Sequence, residues 1–338
     1  MSQVAPATPM EILIQKHDNP LFGQPVASNL ADPFSLSDED GYFWLKGNLH
    51  CHTIFSDGRI TPQERVDGYV ARGFDFLCLS DHQVITPVHD LDRPEDFILI
   101  PGAELHPDNP FGGQVHHILA LNLTRTVDAF RMPPQHVINA VREQGGSPWL
   151  PHPHWSSIIV SRDVLPLRGL AGLEVVNTEC LGMGRSGGAV HWDDWMWLTG
   201  SLKPAIGVDD AHGGFEPREG TGRAWTFVRV RERSIPAIIQ ALERGASYAS
   251  TGPKLHHVSI QPGGRNKGRP VFQVRVGCSP AIRVLGICDV YGGSFYQGGQ
   301  VFTEAVFDLP SMARWVRIEV IDPTGAKAWS NPVLLSAD

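Results

Sequence analysis

Two histidines separated by a single residue begin the part of this chain that could carry out chemistry. His50 and His52 flank Cys51, and the carboxylate of Asp57 follows within the segment 47–58. In an extended strand alternate side chains share a face, so both imidazoles project to one side while Cys51 projects to the other. Two imidazoles beside a carboxylate supply half of a metal site.

Further residues with metal-binding side chains follow the apolar runs downstream. They are His82 in the pair 81–82, Glu104, His152, and Asp210 with His212 in the segment 209–212. In α/β barrels the carboxyl ends of the strands form one functional face. If each apolar run is a strand, these side chains converge although they lie far apart in the sequence.

His117 is the exception, because it lies near the start of an apolar run rather than at its end. It comes too soon after Glu104 for a complete helix to connect two parallel strands. A return resembling a β-hairpin would still bring both side chains to one rim.

The candidate ligands are too many for one tetrahedral ion and fit two or three ions better. They are His50, His52, Asp57, His82, Glu104, His117, His152, Asp210 and His212. Imidazoles and carboxylates without thiolates suit zinc, manganese or iron, and the number of imidazoles argues against a magnesium or calcium site. One histidine at a strand end is more often structural, and an Asp before Gly58 is a common turn former. Chance does not explain why most of the set follows successive apolar runs.

The elements that must position these residues are predicted from the apolar periodicity. Seven short apolar runs read as strands, at 44–50, 74–79, 97–101, 115–121, 147–151, 173–177 and 204–208. A helix follows the first strand, with Thr61 as cap, Pro62 at its first position and Gly73 as its stop. Two more helices are predicted at 134–144 and 235–244. Strands that alternate with helices indicate a parallel or mostly parallel α/β architecture.

Composition divides the chain into three parts. Residues 1–42 are rich in Pro, Ser, Asp and Asn and are expected to form an arm over the domain. Residues 43–252 hold the α/β pattern and all the candidate ligands. Residues 253–338 show alternating apolar runs between turn signals, which predicts a small all-β domain resembling a sandwich. We do not expect the chemistry there.

The net charge and the cysteines limit the class of protein further. A formal net charge of −8 disfavours a non-specific grip on nucleic acid but leaves open a local basic pocket for a small anionic substrate. Five scattered cysteines without a close CxxC pair are expected to be reduced thiols of a cytoplasmic protein. With no leader-like start and no run of about 18 apolar residues, we expect an unexported protein without a membrane segment. The oligomeric state is left open.

Taken together, these motifs resemble those of the PHP (polymerase and histidinol phosphatase) superfamily of metal-dependent hydrolases. The matching segments are 50–53 with 56–58, 79–82, 102–104, 115–119, 151–153 and 210–212. The resemblance covers about residues 43–252. It implies a distorted seven-stranded (β/α) barrel whose centre binds two or three metal ions through the nine residues named above.

Two adjacent pairs leave the register of the match open. Of His116 and His117, the second is favoured as the family's histidine because Ile-Leu follows it. Of Asp209 and Asp210, the family's Asp-x-His spacing selects the second. Asp209 is then a candidate for supporting the ligands rather than for binding an ion.

The resemblance implies hydrolysis, with a metal-bridging hydroxide attacking a phosphorus atom or a carbonyl carbon. A phosphoesterase acting on small phosphomonoesters or phosphodiesters is favoured, because phosphoesterases dominate the superfamily. The β-rich tail and the segment 247–253 resemble a branch known as carbaryl-hydrolase-like, so a carbamate, amide or carboxylic ester hydrolase is the alternative. A non-catalytic metal-binding scaffold is disfavoured, because the whole set of ligands is present.

Other polar residues are candidates for substrate contacts. His154 could protonate a leaving group or bind an anion, or it could cap a loop beside Trp155. Arg185 lies in the glycine-rich segment 182–188, which could be a lid that presents the guanidinium to a phosphate. Arg59 and Arg223 are weaker candidates for binding an anion.

Three tryptophans bear on the choice between substrates. Trp192, Trp195 and Trp197 lie near a predicted helix and could line an apolar pocket, but their spacing favours core packing for at least two of them. A basic subsite favours a phosphate, whereas an apolar wall favours a neutral ester. The surroundings of Arg185 and of the tryptophans therefore discriminate between the two kinds of hydrolase.

Overall fold

The computed structural model describes residues 26–108, 116–153, 155, 161–185, 187–216, 220–290, 294–296 and 300–335. Its helices are α1 (Pro62–Val70), α2 (Pro134–Glu143), α3 (Ser161–Val164), α4 (Thr178–Gly182), α5 (Ala189–Thr199) and α6 (Ile235–Glu243). Its strands up to residue 250 are β1 (Phe43–Asn48), β2 (Phe76–Leu79), β3 (Ile98–Leu105), β4 (Ile118–Leu121), β5 (Ser147–Trp149), β6 (Leu173–Asn177), β7 (Ala205–Val208), β8 (Trp225–Val230) and β9 (Ser247–Ser250). The later strands are β10 (Leu255–Asn266), β11 (Arg269–Ala281), β12 (Arg283–Cys288), β13 (Ser294–Tyr296), β14 (Phe302–Pro310), β15 (Trp315–Ile321), β16 (Lys327–Ser330) and β17 (Val333–Leu334).

Each of the seven predicted strands overlaps one of β1 to β7, and the three predicted helices correspond to α1, α2 and α6. Helix α1 shows why such local predictions succeed. The Thr61 hydroxyl accepts the N–H of Glu64 at 3.2 Å, and the Glu64 carboxylate accepts the N–H of Thr61 at 2.8 Å, which forms a capping box. Gly73 follows the helix at a φ of 68°, a conformation that glycine adopts without strain.

One large sheet runs through the molecule. Its strand order is β13-β12-β15-β16-β9-β8-β1-β2-β3-β4-β5, with β17 paired to β15. A three-stranded sheet, β10-β11-β14, and a two-stranded sheet, β6-β7, are separate from it. Single bridges join Leu150 to Leu173 and Cys51 to Ala211. These bridges make β5 a neighbour of β6 and bring together the segments that follow β1 and β7.

The prediction of a mostly parallel sheet is only partly right. Strands β1, β2 and β3 pair in parallel, as do β6 and β7, but β4 pairs antiparallel with both β3 and β5. The connection from Leu105 to Ile118 is too short for the helical crossover that most parallel pairs use. Strands β8 and β9, which the sequence did not predict, add two further antiparallel pairs beside β1.

The tail is rich in strands, as predicted, but only part of it forms a sheet of its own: β12, β13, β15, β16 and β17 continue the large sheet, and β10, β11 and β14 form the separate one. Among the described residues after Ser250, every named element is a strand. Strand β16 pairs with β9, with Trp329 opposite Ala249. The three-stranded sheet shares an apolar core with β12 and β15, to which Val274 and Ile318 belong. Alternation predicts strands but does not tell which sheet they extend.

Three other features concern the chain as a whole. Residues 26–42 pack against the α/β part, where the N–H of Ala27 donates to the carbonyl of Gly200 at 2.8 Å. Within the described residues, no helix is long and apolar enough to cross a membrane. All five cysteines are buried, and none of them forms a disulfide in this structure.

Candidate metal centre

The nine candidate ligands converge in the folded chain. Three overlapping groups bring their donor atoms within 4.8 Å of one another. These groups are His52, Asp57, His82 and His212; His50, His52, Glu104 and Asp210; and Glu104, His117 and His152. A fourth group joins His82 and Glu104 to His106, which the sequence analysis did not identify.

Glu104 lies at the centre of the cluster, inside β3 and buried. Five imidazoles surround it, those of His50, His52, His82, His117 and His152. Its Oε1 lies 2.6 Å from Nδ1 of His117 and 2.8 Å from Nε2 of His152. Its Oε2 lies 3.0 Å from Nε2 of His50 and 3.1 Å from Nδ1 of His82. One carboxylate thus faces two sides of the cluster.

The hairpin between β3 and β4 explains how His117 reaches this carboxylate. Leu105 pairs with Ile118 and Glu104 pairs with Leu119 in the antiparallel ladder, so the residue before β4 lies at the rim where β3 ends. The structure brings His117 to the cluster, whereas the adjacent His116 is buried outside the groups.

Asp210 and Asp57 hold opposite sides of the cluster. Oδ1 of Asp210 lies 3.0 Å from Nε2 of His52 and 3.2 Å from Nε2 of His50, in a buried position. Oδ2 of Asp57 lies 3.4 Å from Nε2 of both His82 and His212. The Asp57 side chain is 56% exposed, so the cluster is open to solvent on this side.

The electrostatics of the cluster keep its carboxylates ionised. Burial raises the pKa of Glu104, but His117 and His50 outweigh burial and hold that pKa well below its usual range. Burial acts in the same direction on Asp210, and His50 and His52 lower the pKa of that carboxyl well below its usual range. Ionised carboxylates are the form that binds cations.

The pKa values of two buried imidazoles, His50 and His52, shift in the opposite direction. Burial lowers the pKa of His52, but its hydrogen bonds to Asp210 and Glu104 raise it to about 9. Burial also lowers the pKa of His50, and Asp210 and Glu104 raise it well above its ordinary value. Acids and imidazoles therefore stabilise each other's charges inside the protein.

Left-handed backbone occurs at two of the nine candidate ligands and beside a third. His152 has a φ of 25° and Asp210 a φ of 57°, and Gln83, the residue after His82, has a φ of 60°. Residues other than glycine rarely adopt these values, and such strain is found where a functional geometry requires it. The Asp210 backbone is held by its own N–H, which donates to the His50 carbonyl at 2.9 Å.

Gly58 fixes the loop that carries Asp57. Its N–H donates to the Thr53 carbonyl at 2.9 Å. A Cβ at this position would lie 2.4 Å from the backbone carbon of His52 and 2.5 Å from the Thr53 nitrogen. The turn between His52 and Asp57 therefore depends on a residue without a side chain.

Replacing Gly58 by Ala is expected to weaken metal binding while the fold persists, because the new methyl group displaces the backbone of His52. The matched control is Gly214→Ala, close to His212, where a Cβ meets nothing within 4 Å. Titration of each variant with Zn²⁺ measures the effect. Equal Zn²⁺ affinity in both variants would contradict the role given to this turn.

Two buried polar residues that the sequence analysis missed support the ligands. Oε1 of Glu174 in β6 lies 2.7 Å from Nδ1 of His50, and its Oε2 accepts the N–H of His152 at 2.7 Å. Asn177 donates to Oε2 of Glu174 at 2.9 Å and to Oδ2 of Asp210 at 3.1 Å. A single carboxylate within a buried apolar strand was the available signal for Glu174.

Asp209 points away from the groups and holds the segment that precedes β8. It accepts hydrogen bonds from six donors, namely the Asn48 amide (2.7 Å), the Tyr69 hydroxyl (2.7 Å), the Thr178 hydroxyl (3.1 Å) and the N–H groups of Gly222 (2.7 Å), Arg223 (2.9 Å) and Ala224 (2.8 Å). Burial raises the pKa of Asp209, and the hydrogen bonds from Ala224, Tyr69, Gly222 and Arg223 act against that rise.

The other sequence candidates are placed as follows. Arg185 is exposed, and its N–H donates to the Cys180 carbonyl at 2.8 Å. Arg223 is exposed. The backbone N–H of Arg59 donates to the carbonyl of His212, a candidate ligand, at 2.8 Å. His154 lies outside the described residues.

Two of the three tryptophans belong to the core. Trp192 and Trp195 are buried in one apolar cluster, and Nε1 of Trp192 donates to the Lys203 carbonyl at 2.8 Å. Trp197 is half-buried. The tryptophans therefore do not form a common apolar wall.

Comparison with known proteins finds only distant likenesses. No family model matches the chain. The chain is 33% identical over 84 residues to the 5'-3' exoribonuclease of Haemophilus influenzae, a match that covers 24% of this chain and 30% of that protein. The match therefore spans less than a third of that relative.

Two solved structures are also similar at low identity. A two-domain protein from Bacteroides vulgatus, described as containing a predicted PHP-like metal-dependent phosphoesterase, is 18% identical with a TM-score of 0.47, covering 88% of this chain and 96% of that chain. An amidohydrolase from Chromobacterium violaceum is 16% identical with a TM-score of 0.38, covering 50% of this chain and 88% of that chain. Neither likeness determines a family or an activity.

Proposed function

We propose that this chain is a metal-dependent hydrolase of the PHP type and that its preferred substrates are small phosphomonoesters or phosphodiesters. The observation that carries the proposal is the convergence of nine residues from positions 50 to 212 into groups whose donor atoms lie within 4.8 Å. We also infer that β1 to β7 form the distorted barrel that presents these residues. The bridges between Leu150 and Leu173 and between Cys51 and Ala211 support that inference.

The residues fit divalent zinc, manganese or iron. Imidazoles and carboxylates are the ligands that these ions accept, and no thiolate takes part in the groups. Nδ1 of His52 is buried and makes no hydrogen bond in the described structure. A buried nitrogen without a partner costs free energy, and an ion between His52 and Asp57 would satisfy it.

Two or three ions fit better than one, because the groups overlap. Glu104 belongs to two of the three groups of predicted ligands, and His52 links the group of Asp57 to the group of Asp210. Glu104 would hold ions on both sides of the cluster, since Oε1 faces His117 and His152 while Oε2 faces His50 and His82.

Bound divalent ions would lower the pKa of a water molecule and neutralise charge that develops on substrate oxygens. The exposure of the candidate ligands indicates the side from which a substrate would reach the site. His50 and Glu104 are buried, whereas His82, His212 and Asp57 are partly exposed. The substrate therefore approaches from the side of Asp57, and Asp210 and Glu104 hold the deep side of the site.

Three further residues have proposed roles around the reaction. Arg185 binds the anionic part of the substrate, and His154 donates a proton to the leaving group. Asp209 keeps the segment 220–224 in place beside Asp210 through the three hydrogen bonds that it accepts from the N–H groups of Gly222, Arg223 and Ala224. It acts on the site without touching the substrate.

The preference for a phosphoester rests on the tryptophans and on Arg185. Trp192 and Trp195 are buried in the core, so these two side chains do not form an apolar wall for a neutral ester. The guanidinium of Arg185 makes no ion pair with any described residue. An exposed guanidinium is suited to binding an anionic substrate.

Hydrolysis of a carbamate, amide or carboxylic ester, as in the carbaryl-hydrolase-like branch, is the second candidate. The observation in its favour is a pair of exposed apolar side chains in the loop between His52 and Asp57. Ile54 is 56% exposed and Phe55 is 50% exposed. Large apolar side chains at the mouth of a site favour a substrate with an apolar group.

The likeness to the exoribonuclease adds nucleotide phosphodiesters to the candidate substrates. A net charge of −8 disfavours binding of a long nucleic acid, so a small molecule remains the proposed partner. A cytoplasmic location is part of the proposal, because five buried cysteines outside any disulfide suit a reducing compartment.

Hydrolysis of para-nitrophenyl substrates tests the proposal. The wild-type protein is loaded with Zn²⁺, Mn²⁺ or Fe²⁺. It is then assayed on a phosphomonoester, a phosphodiester, a carbamate and the acetate of para-nitrophenol, so that all four substrates have the same leaving group. We expect turnover of a phosphoester and its loss in Asp210→Asn. Turnover of the carbamate alone would select the second candidate, and turnover that survives Asp210→Asn would contradict the metal site.

Arg185→Ala provides the matched test of substrate charge. The variant is expected to raise KM for the phosphoester and to leave KM for the neutral ester unchanged, with the exposed Arg125→Ala as control. An unchanged KM for the phosphoester would show that Arg185 does not bind the anionic part of the substrate.

A further inference from the structure

His106 follows β3 immediately and lies against two of the candidate ligands. Glu104 and His106 are two residues apart in the sequence, and in extended backbone residues at this spacing project to the same side. Nε2 of His106 lies 2.7 Å from Nδ1 of His82. Its ring is stacked on that of His117, with centroids 4.2 Å apart and an interplanar angle of 12°.

The two nitrogens of His82 face different surroundings. Nε2 lies 3.4 Å from Oδ2 of Asp57, within the group that includes His52 and His212. Nδ1 lies 2.7 Å from His106 and 3.1 Å from Oε2 of Glu104. A neutral imidazole that binds an ion through Nε2 carries its proton on Nδ1, and that proton requires an acceptor.

His106 is the better placed of the two acceptors. Oε2 of Glu104 also lies 3.0 Å from Nε2 of His50 and 3.4 Å from Nε2 of His52, so this oxygen is shared among several imidazoles. The separation of 2.7 Å between His82 and His106 is that of a strong hydrogen bond and is too short for two nitrogens that bind one tetrahedral ion.

We propose that His106 is a positioning residue for His82. It accepts the hydrogen bond from Nδ1–H and so fixes the tautomer in which Nε2 of His82 faces Asp57. The stack on His117 holds the ring of His106 in the required orientation. This role rests on the metal-binding part of the proposed function and extends it by a residue that does not itself bind the ion.

Two variants separate the hydrogen bond from the stack. His106→Phe keeps an aromatic ring for His117 but has no acceptor, whereas His106→Gln keeps an acceptor without the ring. Loss of such a partner lowers metal affinity by about 10–100-fold. In a competition titration of Zn²⁺ against a chromophoric chelator, we expect His106→Phe to bind one of its Zn²⁺ ions with this loss of affinity. His106→Gln is expected to stay close to wild type, as is the control His136→Ala on the exposed side of α2.

The tautomer of His82 provides a second readout that a merely structural role would not change. Long-range ¹H–¹⁵N spectra of the Zn²⁺-loaded wild type, assigned with His82→Gln, are expected to show the His82 proton on Nδ1. A proton on Nε2 overturns the inference even if the variants do not fold. Zn²⁺ affinity in His106→Phe equal to that of wild type overturns it as well. A wild type that binds no Zn²⁺ would instead contradict the proposed function itself.

Discussion

Replacing Glu104 by Gln is expected to reduce hydrolysis by about three orders of magnitude or more, because metal catalysis supplies several kcal/mol of transition-state stabilisation and each factor of ten corresponds to about 1.4 kcal/mol. Gln has nearly the shape of Glu but lacks its negative charge. Oε1 of Glu104 faces His117 and His152, and Oε2 faces His50 and His82. A neutral amide would no longer balance the charge of cations held on either side of the cluster, so the loss would affect more than one ion.

Steady-state kinetics on the phosphoester, with each protein at saturating Zn²⁺, measure this effect. Glu95→Gln, the same substitution at an exposed position before β3, is the control and should retain wild-type kinetics. Circular dichroism confirms that Glu104→Gln is folded. A folded variant that keeps more than a tenth of the wild-type rate would show that the reaction does not depend on this carboxylate.

Replacing Asp209 by Asn is expected to act on stability instead of metal loading. Whichever way the new amide is oriented, its NH₂ faces two N–H donors that lose their acceptor, either those of Asn48 and Gly222 or those of Ala224 and Arg223, and in each pair the first is buried and the second part-buried. At about 1–3 kcal/mol for a buried donor left unsatisfied, the free energy of unfolding falls by at least about 1–3 kcal/mol.

Urea denaturation and Zn²⁺ titration distinguish the neighbouring carboxylates. Asp209→Asn should unfold at lower urea concentration and still load the wild-type complement of Zn²⁺. Asp210→Asn should lose Zn²⁺, because its Oδ1 lies 3.0 Å from Nε2 of His52. If Asp209→Asn lost metal with unchanged stability, the assignment of the two residues would be reversed.

The sequence predicts most of the cluster because the signals for its residues lie in short stretches of the chain. Each apolar run marks a strand, and the residue after a strand lies at a shared edge, so His82 and Asp210 can be assigned to one face without coordinates. The short connection between Glu104 and His117 predicts a hairpin, and antiparallel pairing of β3 with β4 confirms it. The capping signals at Thr61 predict the start of α1 for the same reason.

The features that the sequence does not predict depend on contacts between distant segments. Glu174 stands out as a carboxylate in an apolar strand, but its partner, His50, is known only from the contact of β6 with the segment that follows β1. The left-handed backbone at His152 and Asp210 is imposed by surrounding contacts and has no signature in residue type. The pairing of β16 with β9 joins the tail to the large sheet, and alternation alone does not specify a partner strand.

Native mass spectrometry of the protein loaded with Zn²⁺ and then desalted tests the central claim most directly, because it counts ions bound to each chain. The account predicts two or three Zn²⁺ ions for each wild-type chain and at least one fewer for Glu104→Gln. A wild-type chain with one ion or none, or a Glu104→Gln chain with the full wild-type complement, would contradict it.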